Sequence, residues 1–164
     1  MRLVHREDTY APIEKTFMIQ SVGSPIRRRL VIRLIYISTA RSLLSEQELD
    51  EILRVSRRNN QVVDVTGLLI VGGRRFLQAL EGPAEAVRKT YDRIKADGRH
   101  FAAVILSDRE IAERSFSEWA MGYQPAGILR AEGSVANDIA ELIAPISNPI
   151  VHAYFAEFAK KHAA

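Results

Sequence analysis

Four polar side chains occur at positions where the surrounding sequence pattern is apolar. Tyr36 and Gln78 lie within aliphatic, β-branched runs, and Ser56 and Asn60 fall on the apolar stripe of a predicted helix. A buried amide must find partners, because each unsatisfied polar group costs roughly 1–3 kcal/mol. A tyrosine hydroxyl can release a proton after losing an electron, and a glutamine amide carries both an acceptor and two donors. Together, these side chains could converge on one polar guest in an otherwise apolar pocket.

Each of the four residues also has a simpler interpretation. Tyr36 is compatible with a core aromatic whose hydroxyl reaches the rim, and Gln78 with an amide bonded to the backbone. Ser56 is compatible with a small helix-packing residue. Asn60 is compatible with a helix stop, because Asn tolerates the left-handed conformation. The predicted polar site would be absent only if all four of these simpler interpretations were correct at once.

Five strands must position these side chains. They are predicted from apolar runs bounded by turn residues, over residues 30–37, 62–71, 75–81, 102–106 and 115–121. The Gly72-Gly73 pair is typical of a two-residue hairpin between the second and third strands. Trp119 and Met121 would share one face of the fifth strand, where core packing is their simplest role.

Two helices are predicted between the strands. Ser45 and Glu48 form a capping box ahead of the first helix, in which each side chain satisfies a backbone N–H group of the other residue. Pro83 suits the first position of the second helix. Gly98 then suits its C-terminal end.

The order of these elements predicts an α/β (α+β) fold, a ferredoxin-like βαββαβ sandwich with an added fifth strand. The first helix is expected to connect parallel neighbouring strands by a right-handed crossover. Two helices on one face leave the other face of the sheet bare, so a C-terminal helical pair is predicted to cover it. The first segment of this pair contains Val135, Ile139 and Leu142, and the second follows Asn148-Pro149 and contains Val151, Tyr154, Phe155 and Phe158.

The composition is that of an ordinary globular domain and excludes several classes of function. The 164 residues are 47% hydrophobic and 26% charged, with no apolar run long enough to span a membrane and no N-terminal secretory signal. The absence of cysteine excludes disulfides and thiolate catalysis, and the four histidines are too dispersed to predict a metal site. The net charge of +3 comes from scattered arginines, so nucleic acid is not the expected partner. A cytoplasmic location is the default expectation.

Six segments of the chain resemble, in order, the successive motifs of BLUF domains. They are residues 34–38, 57–60, 65–69, 76–83, 97–100 and 114–122. The resemblance implies a blue-light sensor that binds flavin non-covalently between the two helices and turns over no substrate. FAD is the usual flavin, with FMN or riboflavin as alternatives.

The resemblance also implies a role for each matching residue. Tyr36 would be the light-driven electron and proton donor. Gln78 would lie between Tyr36 and the flavin, and its hydrogen bonds would rearrange by rotation or tautomerisation. A new hydrogen bond to the flavin O4 would then shift the absorption to the red. By motif position, Asn59, Asn60, Arg99 and His100 would contact the cofactor, and Ser56, Trp119 and Met121 would change their contacts with Gln78 on illumination.

The chain is expected to divide into three parts. Residues 1–29 show no helical or strand periodicity and are interpreted as an extension, residues 30–124 as the flavin-binding domain, and residues 125–164 as a helical cap or output segment. The roughly 40 residues after Gln124 are too few for a catalytic domain. The chain therefore resembles the stand-alone class, which signals to a separate partner protein, and the uncovered helices predict a homo-oligomer.

Two other classes of function use the same fold. A ferredoxin-like enzyme acting on small acyl phosphates would need an anion-binding loop at a helix N-terminus, for which residues 40–42 are a poor candidate. A nucleic-acid-binding module would need exposed aromatic side chains on its central strands. Tyr36 and Phe76 are the aromatic residues there, and the pattern buries both.

Overall fold

The computed structural model describes residues 30–126, 140, 143–144 and 146–162, which contain five strands, three helices and two further helical residues at 140 and 143. In chain order they are β1 (Val31–Ala40), α1 (Glu46–Val62), β2 (Thr66–Gly72), β3 (Arg75–Pro83), α2 (Ala84–Lys95), β4 (His100–Glu110), β5 (Gly122–Ala126) and α3 (Pro149–His162). The predicted βαββαβ order with an added fifth strand is confirmed. The predicted extension over residues 1–29 and the segment with Val135, Ile139 and Leu142 lie outside the described residues.

The strands form one sheet in the order β4-β1-β3-β2-β5. β3 is antiparallel to both β1 and β2, β4 is antiparallel to β1, and β5 is parallel to β2. The expectation that β1 and β2 are neighbours is therefore wrong. They run in the same direction, but the hairpin at Gly73 (φ 55°) sends β3 back between them, where it can pair with both.

The fifth strand begins later than predicted. Residues 115–121 belong to the connection between β4 and β5, and the strand itself covers Gly122–Ala126. The alternating apolar pattern of this connection has another cause, because Phe116 packs into the core on the α3 side of the sheet and Met121 into the core on the α1 side. β2 also begins at Thr66 and not at residue 62, since α1 continues through Val62.

Two helices, α1 and α3, begin at the side-chain caps that the sequence indicates. The Ser45 hydroxyl accepts from the Glu48 N–H, and the Glu48 carboxylate accepts from the Ser45 N–H, which completes the capping box of α1. The Asn148 carboxamide accepts from the N–H groups of Ile150 and Val151 at the start of α3. Pro83 is the residue before α2 and not its first residue. None of the helices described is long and apolar enough to cross a membrane.

Alternation along the strands divides the core into two layers. Leu34 and Tyr36 of β1 face α1 and α2, whereas Ile35 faces α3. Phe155 of α3 is fully buried against this second face, as predicted for the C-terminal segment that follows Asn148. The sheet thus separates a layer that contains Tyr36 and Gln78 from a layer that contains α3.

Candidate functional site

A cavity of about 280 Å³ lies between α1, α2 and the sheet face that carries Tyr36 and Gln78. Apolar side chains from both helices and from β2 and β3 form part of its wall, and polar side chains from the helices, from β1 and β3 and from the start of β4 form the rest. Each residue that the resemblance assigned to the cofactor or the photoreaction lines this cavity, except Trp119: they are Tyr36, Ser56, Asn59, Asn60, Gln78, Arg99, His100 and Met121.

Tyr36, Gln78 and Met121 form a hydrogen-bonded chain in the floor of the cavity. Tyr36 and Gln78 occupy directly opposite positions of β1 and β3, so their side chains project side by side from the same face. The Tyr36 hydroxyl donates to Gln78 Oε1, and Gln78 Nε2 donates to Met121 Sδ at 3.1 Å. All three side chains are buried. A thioether is a weak acceptor, so the second bond holds Gln78 less firmly than the first.

The environment of Tyr36 keeps its hydroxyl protonated. Burial raises the pKa of Tyr36 well above its usual range, and the nearby Tyr91 and Asp97 raise it further. The Tyr91 ring packs edge-on against Tyr36, with ring centroids 5.1 Å apart. Tyr36 is therefore a neutral hydrogen-bond donor over the whole physiological pH range.

The last two turns of α1 supply the polar wall of the cavity. Asn60 is buried, and its Nδ2 donates to the Ala120 carbonyl oxygen at 2.9 Å. Its side-chain oxygen remains as an acceptor beside the cavity. Ser56 and Asn59 are half-buried on the same wall. Asn60 is not the helix stop that its residue type allows, because α1 continues to Val62.

Arg99 and His100 line the mouth of the cavity at the start of β4. The Arg99 guanidinium donates to the Asp97 carboxylate, with Nη2 2.5 Å from Oδ2, and this bond lowers the pKa of Asp97. His100 Nε2 lies 2.5 Å from the Ile94 carbonyl oxygen, which can only accept, so Nε2 carries the proton. His100 Nδ1 is buried and has no partner among the described residues.

Trp119 lies away from the cavity, in the apolar layer on the α3 side of the sheet. Its ring stacks on Phe116 with centroids 6.1 Å apart, and it covers Gly122, where a Cβ would lie 2.9 Å from Trp119 Cε3. Trp119 and Met121 therefore point to opposite faces of the sheet. The expectation that they share one face of the fifth strand is wrong, because both residues precede that strand.

Two residues of the site were missed by the sequence reasoning. Ser38 is almost fully buried in the cavity wall, and its hydroxyl has no partner among the described residues. Its position on the same strand face as Tyr36, two residues further on, was the available signal. Arg57 donates from Nε to the Met121 carbonyl oxygen at 3.0 Å and so supports Met121, the third residue of the hydrogen-bonded chain. Arg57 opens the matching segment 57–60, but its residue type does not distinguish it from the neighbouring exposed arginines.

The cavity lining suits a molecule with an apolar body and hydrogen-bonding atoms at its edge. The hydroxyl of Ser38 and the Nδ1 atom of His100 are buried polar atoms without a protein partner among the described residues, and both residues line it. Buried polar groups of this kind are normally satisfied, so a bound molecule is expected to satisfy them. The fold and cavity define an α/β domain that holds such a molecule between two helices and a sheet, and the isoalloxazine ring of a flavin has this chemistry.

Comparison with known families gives the identity of this class. The model of the BLUF family, described as sensors of blue light using FAD, matches residues 31–122. The β subunit of the photoactivated adenylate cyclase of Euglena longa is 36% identical over 121 residues, which is 71% of this chain and 14% of that protein. The chain belongs to the BLUF family, and it senses blue light with a bound flavin.

Solved structures of BLUF proteins share the fold. The dark-state structure of BlrB, a BLUF protein, has a TM-score of 0.62 at 24% identity and covers 82% of this chain and 96% of its own. At that identity the likeness shows the fold alone. The structure of Klebsiella pneumoniae BlrP1 with FMN and cyclic diGMP has a TM-score of 0.67 at 25% identity, over 80% of this chain and 35% of BlrP1.

Proposed function

We propose that the chain converts absorption of blue light into a change in the hydrogen bonds of Gln78, with Tyr36 as the electron and proton donor. The hydrogen-bonded chain from Tyr36 through Gln78 to Met121 is the observation that carries this proposal. It joins a redox-active side chain to a switchable amide inside the cavity that fits the flavin. Arg99, His100, Asn59 and Asn60 would hold the cofactor from the cavity wall.

Tyr36 is placed to give up its proton to one acceptor, Gln78 Oε1. When bound, the flavin supplies the chromophore and, once excited, an electron acceptor. A phenol that loses an electron becomes strongly acidic, so the Tyr36 O–H bond breaks and the proton passes to Gln78 Oε1, the atom that already accepts its hydrogen bond. Because this hydrogen bond already exists, the transfer needs no prior movement of either side chain.

Gln78 can change its hydrogen bonds at low cost on its other side. Its Nε2 atom donates a hydrogen bond to the sulfur of Met121 and not to an oxygen. Only this weak hydrogen bond therefore opposes rotation or tautomerisation of the amide. Either rearrangement changes or ends the contact with Met121. The part of the chain that responds first is therefore the connection that carries Met121.

The bound flavin is proposed to be FAD, with FMN or riboflavin as alternatives. The family description names FAD, and FMN is present with BlrP1. Chromatography of the flavin released from the purified protein by denaturation decides between them. A released flavin of a different class, or none after incubation with FAD, would contradict this assignment.

The chain is proposed to sense light without turning over a substrate. At the centre of the cavity Tyr36, Gln78 and Met121 are hydrogen-bonded to one another, and these three described residues do not form a nucleophile activated by a base. The cyclase relative gives the direct test, which is to measure cyclic AMP formed from ATP under blue light. No cyclic AMP above the dark control is expected, and light-dependent formation would contradict the proposal.

A sensor of this kind acts through another molecule. We infer a cytoplasmic protein in which residues 30–124 form the sensor and residues 125–164 contact a downstream signalling protein. We also infer self-association into a homo-oligomer. Light scattering coupled to gel filtration, in the dark and under blue light, measures the mass in solution. A monomeric mass in both states would contradict the self-association.

Substitution of Gln78 tests the proposed photoreaction. Gln78→Leu removes the amide that both accepts from Tyr36 and donates to Met121, so the variant is expected to bind flavin but to show no red shift on illumination. Gln61→Leu is the matched control, because it makes the same change on the exposed surface of α1. A normal red shift in Gln78→Leu, measured as a light-minus-dark absorption spectrum, would contradict the mechanism.

A further inference from the structure

The connection between β4 and β5, residues 111–121, is held in place from several elements. We call it the β4–β5 loop. Its last three carbonyl oxygens accept hydrogen bonds from β2 and from α1: Gly67 N–H donates to Trp119 (2.9 Å), Asn60 Nδ2 to Ala120 (2.9 Å) and Arg57 Nε to Met121 (3.0 Å). The end of the loop that carries Met121, the hydrogen-bond partner of Gln78, is thus hydrogen-bonded to α1, the helix on the flavin side.

The other half of the loop is anchored to a buried ion pair on the opposite face of the sheet. Arg33 Nε donates to Glu81 Oε1 at 2.5 Å, and the side chains are 6% and 0% exposed. The same two residues bind the loop, since Arg33 Nη2 donates to the Ser115 hydroxyl at 2.6 Å and the Phe116 N–H donates to Glu81 Oε2 at 3.0 Å. Both carboxylate oxygens of Glu81 therefore have a donor.

Phe116 connects this anchor to α3. Its ring stacks on Trp119 on one side and meets Phe155 edge-on on the other, with centroids 6.1 Å away in both cases. Phe116 and Phe155 are both buried, with at most 1% of their surface exposed. The loop thereby links Met121, in the flavin-side layer, to Phe155, in the layer of α3.

The ion pair is better explained by geometry than by stability. Replacing a buried ion pair with apolar residues of similar volume is often neutral or stabilising, because the desolvation of two charges offsets their attraction. What Arg33 and Glu81 add is direction, since hydrogen bonds to a planar guanidinium and a carboxylate fix the positions of Ser115 and Phe116. A purely apolar contact at this place would lack this directional restraint.

We infer that Arg33 and Glu81 are positioning residues of the light response, which hold Phe116 between Trp119 and Phe155 so that a change at Met121 reaches α3. This inference rests on the proposed role of Gln78 and Met121. With Phe116 fixed, the exposed turn at Ser117 and Glu118 is the part of the loop that can yield. Displacement of Met121 then reorients Trp119 against the Phe116 ring, whose backbone the ion pair holds, and the ring passes the change to Phe155 of α3.

The experiment follows the flavin and α3 separately in the same full-length protein. The chain contains no cysteine, so Ala153→Cys on the exposed side of α3 accepts a single environment-sensitive fluorophore. A fluorophore excited in the red reads α3 without driving the flavin. The test variant is Arg33→Met with Glu81→Leu, and the control is Arg88→Gln with Asp108→Asn, which removes an exposed ion pair between α2 and β4.

The parent protein and the control are expected to show both the flavin red shift and a light-dependent change in the fluorophore. The Arg33→Met, Glu81→Leu variant is expected to keep the red shift, because Tyr36 and Gln78 lie on the other face, while its fluorophore response falls by about fivefold or more. An unchanged response in this variant would overturn the inference. A parent protein without a red shift would instead contradict the proposed function.

A second variant keeps the test independent of the folding of the first. Phe116→Leu leaves the ion pair intact and keeps an apolar side chain, but it removes the ring between Trp119 and Phe155. The red shift is expected to remain and the fluorophore response to fall by a similar factor. A full response in Phe116→Leu would show that the signal does not pass through this ring.

Discussion

Tyr36 and Gln78 meet because of the register of two antiparallel strands. Their directly opposite positions in β1 and β3 put a hydroxyl beside an amide without help from any loop. The third member, Met121, comes from the β4–β5 loop and is therefore the adjustable member of the chain. The arrangement combines a donor and an acceptor, Tyr36 and Gln78, placed by paired strands with a weak hydrogen bond from Gln78 to Met121, as a reversible switch requires.

Removing the Tyr36 hydroxyl tests the donor role. Tyr36→Phe keeps the ring in the core, so the flavin is expected to remain bound while the red-shifted state is lost. Tyr154→Phe is the matched control, because its hydroxyl lies on the α3 side, where it donates to the Leu106 carbonyl oxygen at 3.3 Å. The measurement is the absorption spectrum before and after blue light. A normal photocycle in Tyr36→Phe would exclude the proposed donor.

The protonation of Tyr36 predicts a dependence on pH. Burial raises the pKa of Tyr36 above its ordinary value of 10.0, so the unfolded chain ionises there while the folded chain does not. The stabilisation from the neutral hydroxyl is complete below about pH 10 and is lost as the pH rises above it. Urea unfolding from about pH 8 to pH 11 should show a steeper loss of stability in the wild type than in Tyr36→Phe.

The photoreaction itself is expected to be independent of pH below this range. Tyr36 stays protonated in the folded protein, so the amplitude of the red shift should be constant between about pH 6 and pH 9. A red shift that titrates away with a midpoint in that interval would mean that Tyr36 is not the buried neutral donor described here.

The sequence alone indicated most of the residues at the site, but not the charged ones that support it. Tyr36, Gln78 and Asn60 are polar within apolar patterns, which is a local signal. Arg33 and Glu81 also interrupt apolar strands, but their pairing becomes visible only with the register of β1 and β3, in which they are opposite each other. Register depends on the hairpin and on long-range pairing, so composition and periodicity could not give it.

At the level of the elements, α1 forms one wall of the flavin site, and the signals for its formation lie within its own sequence. Its N-terminal capping box is complete, and its apolar stripe packs Leu49 and Leu53 onto the sheet. Those local signals made α1 predictable. The fifth strand was mispredicted because the apolar residues of the β4–β5 loop alternate like a strand, while their peptide groups bind to side chains and to β2.

The cap of α1 predicts a measurable effect on the whole site. Ser45→Ala removes the acceptor of the Glu48 N–H, which should lower the free energy of unfolding by about 1 kcal/mol. Flavin affinity should fall with it, because α1 forms one side of the cavity. Urea unfolding and flavin titration are the measurements. Ser42→Ala, at an exposed position before the helix, is the control, and an equal loss in both variants would contradict the role of the cap.

For the whole molecule, the sheet acts as a partition between photochemistry and output. Flavin-side residues occupy one layer and α3 occupies the other, and the β4–β5 loop contributes to both. The fold class could be predicted from the order of the elements. The covering of the second sheet face by the segment after Asn148 could be predicted because both earlier helices lie on the first face. The crossing of the loop from one layer to the other could not be predicted, since it depends on contacts between residues far apart in the sequence.

This partition predicts that damage on the α3 side leaves the photoreaction intact. Phe155→Ala should lower the free energy of unfolding by about 3–5 kcal/mol, because a fully buried ring is removed. The variant that remains folded should still show the full red shift. Phe101→Ala, at a position where the ring is 42% exposed, is the control and should cost less. Loss of the red shift in folded Phe155→Ala would contradict the separation of the layers.

The most direct test of the account is the absorption spectrum of the purified protein before and after blue light. The account predicts a yellow protein with structured flavin bands that move slightly to the red on illumination and return in the dark. A protein that takes up no flavin would contradict the assignment of the cavity. A flavin-loaded protein whose spectrum does not shift reversibly would contradict the switch formed by Tyr36, Gln78 and Met121.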